Sequence, residues 1–206
     1  MSVRVKICGV TSVADALLAA DCGADLIGLN FYPPSPRWVS LATACAIRDA
    51  LPEHVWCVGV FVNAERSSIA TLHQELRLHA VQFHGDETRT DVQDWPCMTI
   101  KALRVPAEGP LPDWQDFPVN YLLLDTHKPG RYGGTGERFS WERLTLLSVE
   151  CRNRLILAGG LTPENVTEAA RAVRPWAVDV ASGVESAPGR KDPEKVRAFI
   201  ANAKTT

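Results

Sequence analysis

The sequence predicts a single (β/α)8 barrel over residues 1–206, with its chemistry at the carboxyl ends of the strands. Strand-like and helix-like segments alternate about eight times along the chain, with no composition break that would mark a linker. About eight units of roughly 25 residues suit a compact barrel of this kind. A doubly wound open sheet is the alternative, but the first strand–helix turn has no G-x-G-x-x-G, so a dinucleotide-binding version has no support.

The individual elements follow from hydrophobic periodicity and from turn residues. The unbroken apolar run 55–62, for example, is typical of a strand covered on both faces. The strand predictions are 5–8, 24–31, 55–62, 79–85, 98–103, 119–125, 154–158 and 176–181, and the helix predictions are 12–22, 41–51, 65–78, 90–95, 141–149, 163–173 and 193–203. The glycine-rich loop 130–136 lacks the Lys-Ser/Thr of a P-loop, and we expect it to cover the active site.

The composition indicates a globular protein without a general affinity for polyanions. The chain is 46% hydrophobic and 22% charged, and its net charge of -2 offers no attraction to nucleic acid or to an acidic membrane surface. Its start does not resemble a signal peptide, and no apolar run approaches the roughly 18 residues of a membrane span. We therefore expect a soluble, cytoplasmic protein that binds neither nucleic acid nor membranes.

The cysteines and histidines do not indicate a metal centre. The six cysteines are spread over the chain without a C-x-x-C pair, in a protein large enough to fold without disulfides. His54, His73, His79 and His127 show no metal-ligand spacing. We therefore predict six free thiols and no metal site.

Chemically active residues recur where the predicted strands end, which is where a β/α barrel holds its active site. A lone buried cysteine is usually a core residue, but a core built only for packing needs no thiol, carboxylate and arginine at corresponding positions. We therefore interpret this edge as an active site. The residues concerned are Cys8, Asn30 with Arg37 beyond it, His84, Arg104, Asp125, Gly159 with Gly160, and Ser182 with Gly183.

Cys8 and Asp125 are the candidate acid–base pair. Partial desolvation raises the pKa of a carboxyl group toward the range in which it donates a proton, and a thiolate can remove one. An ordinary thiol is mostly protonated near neutral pH, so we expect a cation such as Lys6 to lie close to Cys8. A solitary aspartate at this position would otherwise cap a helix or order a loop.

Three charged side chains are predicted to point into the barrel. Alternation places Lys6 and Asp179 inside, and closure of the barrel makes their strands neighbours, so we expect the two to form an ion pair. Lys101 is the third inward candidate. Because an inward lysine can form a Schiff base, an aldolase-like lyase stays open as an alternative function.

The two late glycine pairs predict a phosphate site. Gly159-Gly160 follows the seventh strand and Ser182-Gly183 the eighth, and in phosphate-binding barrels the backbone N–H groups of these two loops hold the phosphate. Either pattern alone could be an ordinary turn. Together, at that one place, they favour a phosphorylated ligand.

Arg37 and His84 are candidate ligand-binding residues. Arg37 follows the rigid segment 33–36, and a guanidinium held there suits a bidentate contact with a carboxylate, although most arginines on loops are simply solvated. We expect His84 to support the site rather than to carry out chemistry. Asp86-Glu87 is predicted to be a solvated turn.

In combination, these motifs resemble those of the phosphoribosylanthranilate isomerases of tryptophan biosynthesis. The resemblance runs in order over nearly the whole chain and is specific as a set, though no single piece is. The motifs are Lys6-Ile7-Cys8-Gly9, Gly28 to Arg37, Val58-Gly59-Val60-Phe61, Gln82-Phe83-His84-Gly85, Leu124-Asp125, Gly133-Gly134-Thr135-Gly136, Leu157-Ala158-Gly159-Gly160-Leu161 and Asp179-Val180-Ala181-Ser182-Gly183-Val184-Glu185.

The resemblance implies an Amadori rearrangement of N-(5-phosphoribosyl)anthranilate without metal or cofactor. It implies that Asp125 is the general acid that opens the ribose ring, and that Cys8 is the general base that takes the proton from ribose C2. It further implies that Arg37 holds the anthranilate carboxylate and that the glycine loops hold the phosphate. Two departures from the family pattern, Phe83 before His84 and Ala181 before Ser182, remove no reacting group.

Two other function classes stay open on the sequence alone. A Schiff-base lyase acting on a sugar phosphate would use a lysine in place of the acid–base pair. A non-catalytic phosphate-ligand binder would need no acid–base pair at all. The sequence does not distinguish a monomer from a homodimer.

Overall fold

Eight parallel strands close into a barrel in chain order, and the last strand pairs with the first. The protein is described by a computed structural model that covers residues 3–106, 117–126, 141–145 and 147–206. The predicted fold class is confirmed. The strands are β1 (Arg4–Cys8), β2 (Leu26–Asn30), β3 (Trp56–Phe61), β4 (Ala80–Phe83), β5 (Met98–Val105), β6 (Tyr121–Thr126), β7 (Leu155–Leu157) and β8 (Ala177–Val180).

Helices connect the strands on the outside of the barrel. Several begin with side-chain caps: Ser12 and Ser40 each accept a hydrogen bond from a backbone N–H of the first turn, and Asp192 accepts two. None of the helices in the described ranges is long and apolar enough to span a bilayer. The helices are α1 (Val13–Asp21), α2 (Leu41–Ala50), α3 (Arg66–Leu76), α4 (Arg89–Val92), α5 (Glu142–Thr145), α6 (Val149–Arg152), α7 (Val166–Val173) and α8 (Pro193–Lys204).

The structure departs from the predicted elements at several places. In place of the predicted helix 141–149 it has two short helices, α5 and α6, and the Ser148 side chain caps the start of α6. Helix α7 begins at Val166 rather than at 163, because the Asn165 side chain bonds the backbone of Thr162 and Gly160 and holds this stretch as a loop. A 3-10 helix (Ser182–Val184) and a small hairpin, β9 (Glu185–Ala187) with β10 (Arg190–Lys191), follow β8 and were not predicted. The glycine-rich loop 130–136 and His127 lie outside the described residues.

Apolar clusters pack against both faces of the barrel strands. An inner cluster fills the barrel, and an outer one packs the strands against the helices. Trp56, Tyr121 and Trp176 close the amino-terminal end of the barrel, with the Tyr121 and Trp176 rings stacked at 3.9 Å between centroids. The active-site end is therefore the opposite one. The inner cluster consists of Leu26, Val58, Ala80, Ile100, Ala102, Leu123, Ile156, Ala158 and Ala177.

A buried ion pair joins the first strand to the last. Lys6 and Asp179 are register partners across the β1–β8 seam, and Lys6 Nζ lies 2.8 Å from Asp179 Oδ1. The Lys6 side chain is 0% exposed. This pairing was expected from alternation along the two strands, and it is confirmed.

The placement predicted for Lys101 is wrong. Its neighbours Ile100 and Ala102 belong to the inner cluster, so Lys101 points outward between barrel and helices. There its ammonium group donates to Gly85 O at 2.8 Å and to Glu87 Oε2 at 2.6 Å. An outward, paired lysine is unavailable as a Schiff-base nucleophile in the barrel.

The prediction of a solvated turn is wrong for Glu87, although Asp86 is exposed. Glu87 is buried, and its carboxylate accepts hydrogen bonds from the backbone N–H groups of Asn63 and Gly85 as well as from Lys101. It therefore satisfies the outward lysine and fixes the turns after β3 and β4. A charge with this many partners is buried because the folded loops supply donors that the sequence does not show.

Replacing Glu87 by alanine should destabilise the fold strongly. Removing one partner leaves the Lys101 ammonium buried and uncompensated, which costs about 3–5 kcal/mol. Asp86→Ala is the matched control, because its contact with Arg104 is a solvent-exposed ion pair worth about 0–1 kcal/mol. Urea unfolding of both variants measures the difference, and equal midpoints would contradict the assignment of Glu87 as a structural partner of Lys101.

Candidate active site

One cavity at the carboxyl ends of the strands gathers nearly all of the predicted site residues. Lys6 and Arg104 are the exceptions. Lys6 lies fully buried beneath the cavity floor, and Arg104 does not line the cavity and contacts Asp86 at 3.3 Å. Asn30, Tyr32 and Ser35 join the wall from the loop after β2. The predicted residues that line the cavity are Cys8, Arg37, His84, Asp125, Gly159, Gly160, Asp179, Ser182 and Gly183.

The Cys8 thiol sits at the end of β1 against the ion pair beneath it. Lys6 Nζ donates to Asp179 Oδ1 at 2.8 Å and is close enough to the Cys8 thiol for each group to shift the pKa of the other. Burial opposes the charge on Lys6, but Asp179 and Cys8 outweigh burial and hold the pKa of the ammonium above its ordinary value. The cation is therefore permanent and lies where a thiolate would form, as the sequence predicted.

The same surroundings hold Cys8 mainly as a thiol. Burial raises its pKa, Lys6 lowers it in part, and the negative charge of Asp179 raises it again, with a net increase. Lys6 therefore moderates the cost of forming the thiolate without reversing it. Cys8 is suited to take up a proton in a reaction, since its conjugate base is strong.

Gly28 provides the space for this contact. It is the register partner of Cys8 on β2, and a Cβ at this position would come within 2.9 Å of Cys8 Sγ and 3.1 Å of Lys6 Nζ. Any side chain here would push the thiol and the ammonium apart. From the sequence alone Gly28 is only a glycine within a strand, which is a general sign of close approach.

Asp125 is the penultimate residue of β6, on the inner side of the barrel, and has His84 beside it. His84 Nε2 lies 3.4 Å from Asp125 Oδ2, and the other ring nitrogen, Nδ1, lies 2.8 Å from Gln82 Nε2. Asp125 and His84 are both mostly buried yet open to the cavity. The His84 ring therefore lies between the Asp125 carboxyl group and the Gln82 amide, with one ring nitrogen toward each.

Arg37 makes its bidentate contact with a carboxylate of the protein itself. Its Nε and Nη2 donate to Glu185 Oε1 and Oε2 at 2.8 and 2.7 Å, and this raises the pKa of Arg37. Among the described residues, Nη1 has no hydrogen-bond acceptor. Glu185 thus holds the Nε–Nη2 edge of the Arg37 guanidinium, and Nη1 is left for a ligand.

Lys191 connects this pair to Cys8. Its buried ammonium donates to Glu185 Oε1 at 2.9 Å, to Cys8 O at 2.6 Å and to Ala181 O at 3.2 Å. Burial would raise the pKa of Glu185, but hydrogen bonds from Arg37 and Lys191 outweigh it and the pKa is lowered. Sequence reasoning missed both Glu185 and Lys191, because neither residue ends a barrel strand.

The loops after β7 and β8 approach each other closely. Gly159 and Gly160 both have left-handed φ angles, 83° and 66°, which favour glycine. At Gly183 a Cβ would collide with Leu161 O, so the two loops touch through this glycine. Asn165, a further residue that the sequence analysis missed, anchors the first loop by its bonds to Gly160 and Thr162.

The strands form a closed parallel barrel, and a thiol, a carboxyl group and an arginine surround one cavity at the carboxyl ends of these strands. This is the design of a (β/α)8-barrel enzyme. A family model described as N-(5'-phosphoribosyl)anthranilate isomerase matches residues 5–202. The chain is also 48% identical over 202 residues to an N-(5'-phosphoribosyl)anthranilate isomerase from Trichlorobacter lovleyi, covering 98% of each chain. The chain belongs to the N-(5'-phosphoribosyl)anthranilate isomerase family.

Solved structures give the same result. A phosphoribosyl anthranilate isomerase from Thermus thermophilus is 42% identical, with a TM-score of 0.86 and 97% of each chain covered. A 38% identical isomerase (TM-score 0.78, covering 99% of this chain and 100% of that one) was solved with reduced 1-(o-carboxyphenylamino)-1-deoxyribulose 5-phosphate. A structure of monomers generated from the dimeric isomerase of Thermotoga maritima is also 38% identical (TM-score 0.80, covering 99% of this chain and 100% of that one).

Alkylation of Cys8 should require a higher pH than alkylation of a simple thiol. The thiolate is the reactive form, and burial raises the pKa of Cys8, so its rate should rise with pH through a midpoint above that of a model thiol. Mass spectrometry of the Cys8 peptide after timed iodoacetamide treatment measures this rate. Lys6→Met should move the midpoint higher still, and a wild-type midpoint at or below that of the model thiol would contradict the electrostatic account.

Proposed function

We propose that this chain converts N-(5'-phosphoribosyl)anthranilate to 1-(2-carboxyphenylamino)-1-deoxyribulose 5-phosphate by acid–base catalysis with Asp125 and Cys8. The observation that carries the proposal is that both residues line one cavity together with Arg37 and the two glycine loops. Membership of the isomerase family supports it further. The reaction is an internal redox isomerisation, so its electrons balance without a cofactor.

The first step opens the ribose ring. Asp125 gives its proton to the ring oxygen while the C1–O bond breaks, and the electron pair of that bond stays on oxygen. The lone pair of the anthranilate nitrogen forms the C1=N bond of a protonated Schiff base. His84, whose Nε2 lies 3.4 Å from Asp125, is placed to interact with the carboxylate that remains.

The second step takes the proton from C2. The Cys8 thiolate accepts this proton, and the electrons of the C2–H bond form C1=C2 while the C=N pair returns to nitrogen. The resulting enolamine loses its C2 hydroxyl proton, gains a proton at C1 and becomes the ketone. The positive charge of the nearby Lys6 ammonium favours the thiolate that this step requires.

Arg37 is proposed to bind the anthranilate carboxylate. Glu185 occupies the Nε–Nη2 edge of the guanidinium, so the substrate would use its Nη1 end. Holding the arginine in advance lowers the entropy cost of binding, because a long side chain no longer has to be ordered by the ligand. The relative solved with a carboxyphenylamino ligand supports a carboxylate of this kind.

The loops after β7 and β8 are proposed to bind the phosphate. Gly159, Gly160, Ser182 and Gly183 place backbone without bulky side chains at the cavity wall. This is the position that barrel enzymes commonly use for phosphate. Asn165 would keep the first loop in shape for binding.

The geometry does not favour a Schiff-base lyase. Lys101 points away from the barrel interior and is paired with Glu87. Lys6 is buried and paired with Asp179, and its pKa is raised, so it stays protonated and is a poor nucleophile. Neither lysine meets the requirement of a neutral amine facing the cavity.

We further propose that the chain binds only a small-molecule substrate, acts as a monomer or a homodimer, and is located in the cytoplasm. The dimeric relative supports considering the homodimer. A cytoplasmic location is supported by the six cysteines, all of which are free in the structure.

Replacing either member of the acid–base pair should abolish most turnover while leaving the fold intact. General acid or base catalysis contributes about 10²–10⁴-fold, so Cys8→Ala and Asp125→Asn should each lower kcat by about that factor with a smaller effect on KM. The loss of anthranilate-type fluorescence, with substrate generated in situ, measures the rate. A folded parent that does not turn over the substrate would contradict the proposed function.

Gly28→Ala should lower kcat by more than its effect on stability explains. The new Cβ would displace the Cys8 thiol and the Lys6 ammonium. Gly59→Ala is the matched control, because its Cβ would meet Leu78 and Phe61 on the outer side of the barrel instead. Comparing kcat at a temperature where both variants are folded distinguishes them, and equal kcat values would show that Gly28 has no special role in the site.

A further inference from the structure

The fully buried Gln82 is a polar residue that the proposed mechanism does not use. It lies on β4 with its side chain inside the barrel, between its register partners Val60 and Ile100, and it is 0% exposed. An apolar side chain would pack there at lower cost, because burying an amide is unfavourable unless it is fully hydrogen-bonded. Among the described residues, Gln82 Oε1 has no hydrogen-bond partner. Gln82 therefore needs an explanation other than packing.

The one contact of this amide is directed at His84. Gln82 Nε2 carries hydrogens and can only donate, and it lies 2.8 Å from His84 Nδ1. With the amide in this orientation, Nδ1 is the ring nitrogen without a proton, and a neutral ring then carries its proton on Nε2. His84 Nε2 is the atom that faces Asp125 Oδ2 at 3.4 Å. A hydrogen bond inside the barrel thus determines which form of the imidazole the carboxyl group meets.

We propose that Gln82 is a positioning residue that holds His84 as the neutral Nε2–H tautomer, so that His84 stabilises the Asp125 carboxylate formed when the substrate ring is opened. The proposal rests on the proposed function. His84 keeps its proton throughout and donates a hydrogen bond to the oxygen on which negative charge develops. The opposite tautomer would turn a lone pair toward that charge and oppose the proton transfer.

Tautomer control of this kind has a precedent in catalytic triads, where a buried group that orients a histidine is worth far more than its own contact. In this protein the Gln82 amide contacts the His84 ring, and the ring in turn faces the Asp125 carboxyl group. Gln82 does not line the cavity, so its effect on catalysis has to pass through His84. Its loss should therefore change kcat much more than KM.

The test measures the tautomer directly and needs no substrate. In the folded protein at about pH 8, above the pKa of about 6.5 of an ordinary imidazole, long-range 1H–15N correlation spectra distinguish a protonated from an unprotonated ring nitrogen. His84→Asn identifies the signals of His84. The expected result is an unprotonated Nδ1 and a protonated Nε2 in the wild-type protein, and a protonated Nδ1 would overturn the proposal.

Two variants complete the test. Gln82→Met keeps the length of the side chain without its hydrogen bond, and it should give a mixture of tautomers and lower kcat at least about tenfold, a fraction of the ~10²–10⁴ of general acid catalysis. Ile100→Val trims the neighbouring core and should change neither. A Gln82→Met protein with an unchanged tautomer or unchanged kcat would overturn the proposal.

The wild-type spectrum decides the matter if Gln82→Met does not fold. A wild-type protein that holds the Nε2–H tautomer but does not turn over N-(5'-phosphoribosyl)anthranilate would contradict the proposed function, and with it the catalytic use of the tautomer. A wild-type protein that turns over with the other tautomer would contradict the role of Gln82 alone.

Discussion

The buried ion pair between Lys6 and Asp179 is the interaction on which the rest of this structure depends. It joins β1 to β8, the two strands that close the barrel, and it lies directly under the Cys8 thiol. Buried ion pairs of this kind contribute little net stability, because desolvation offsets attraction. The Lys6–Asp179 pair instead affects the chemistry of the site. It keeps the Lys6 cation next to the Cys8 thiol, which burial would otherwise hold more firmly in the protonated form.

A second network of charges fixes the groups around Cys8. Glu185 holds Arg37 by one edge, and Lys191 links Glu185 to the backbone carbonyl of Cys8. Both networks meet at the same residue, so the proposed base and the proposed carboxylate-binding group belong to one rigid unit. Counting both networks, three cationic side chains accompany two carboxylates, which leaves one positive charge to meet a thiolate or an anionic substrate.

Much of the barrel interior could be predicted because alternation in a strand is a strong constraint. Lys6 and Asp179 stand out as charges between outward apolar neighbours, and closure of the barrel made them partners. Cys8, His84 and Asp125 were found because they end strands, and the carboxyl ends of parallel strands converge.

The wrong predictions concern residues for which the hydrophobic periodicity of the sequence gave no information. Each face of β5 carries one basic residue among apolar ones, Lys101 on one face and Arg104 on the other, so the sequence did not show which face was the inner one. Glu87 lies in the loop after β4 and Glu185 begins the small strand β9, and each has a partner from another segment, Asn63 and Lys101 for Glu87 and Arg37 for Glu185. Only the folded structure places these donors beside the carboxylates. Gln82 was overlooked for a related reason, because a single amide in an apolar strand does not indicate where it points.

The central claim is that Asp125 opens the ring and Cys8 then removes the C2 proton. Rapid mixing of substrate with each variant, followed by cyanoborohydride, tests the order of these steps. Cys8→Ala should still form the substrate Schiff base, so a reduced open-chain amine should accumulate above the enzyme-free level. Asp125→Asn should form none. Equal trapping in both variants, or a reduced adduct on a lysine of the protein, would contradict the account.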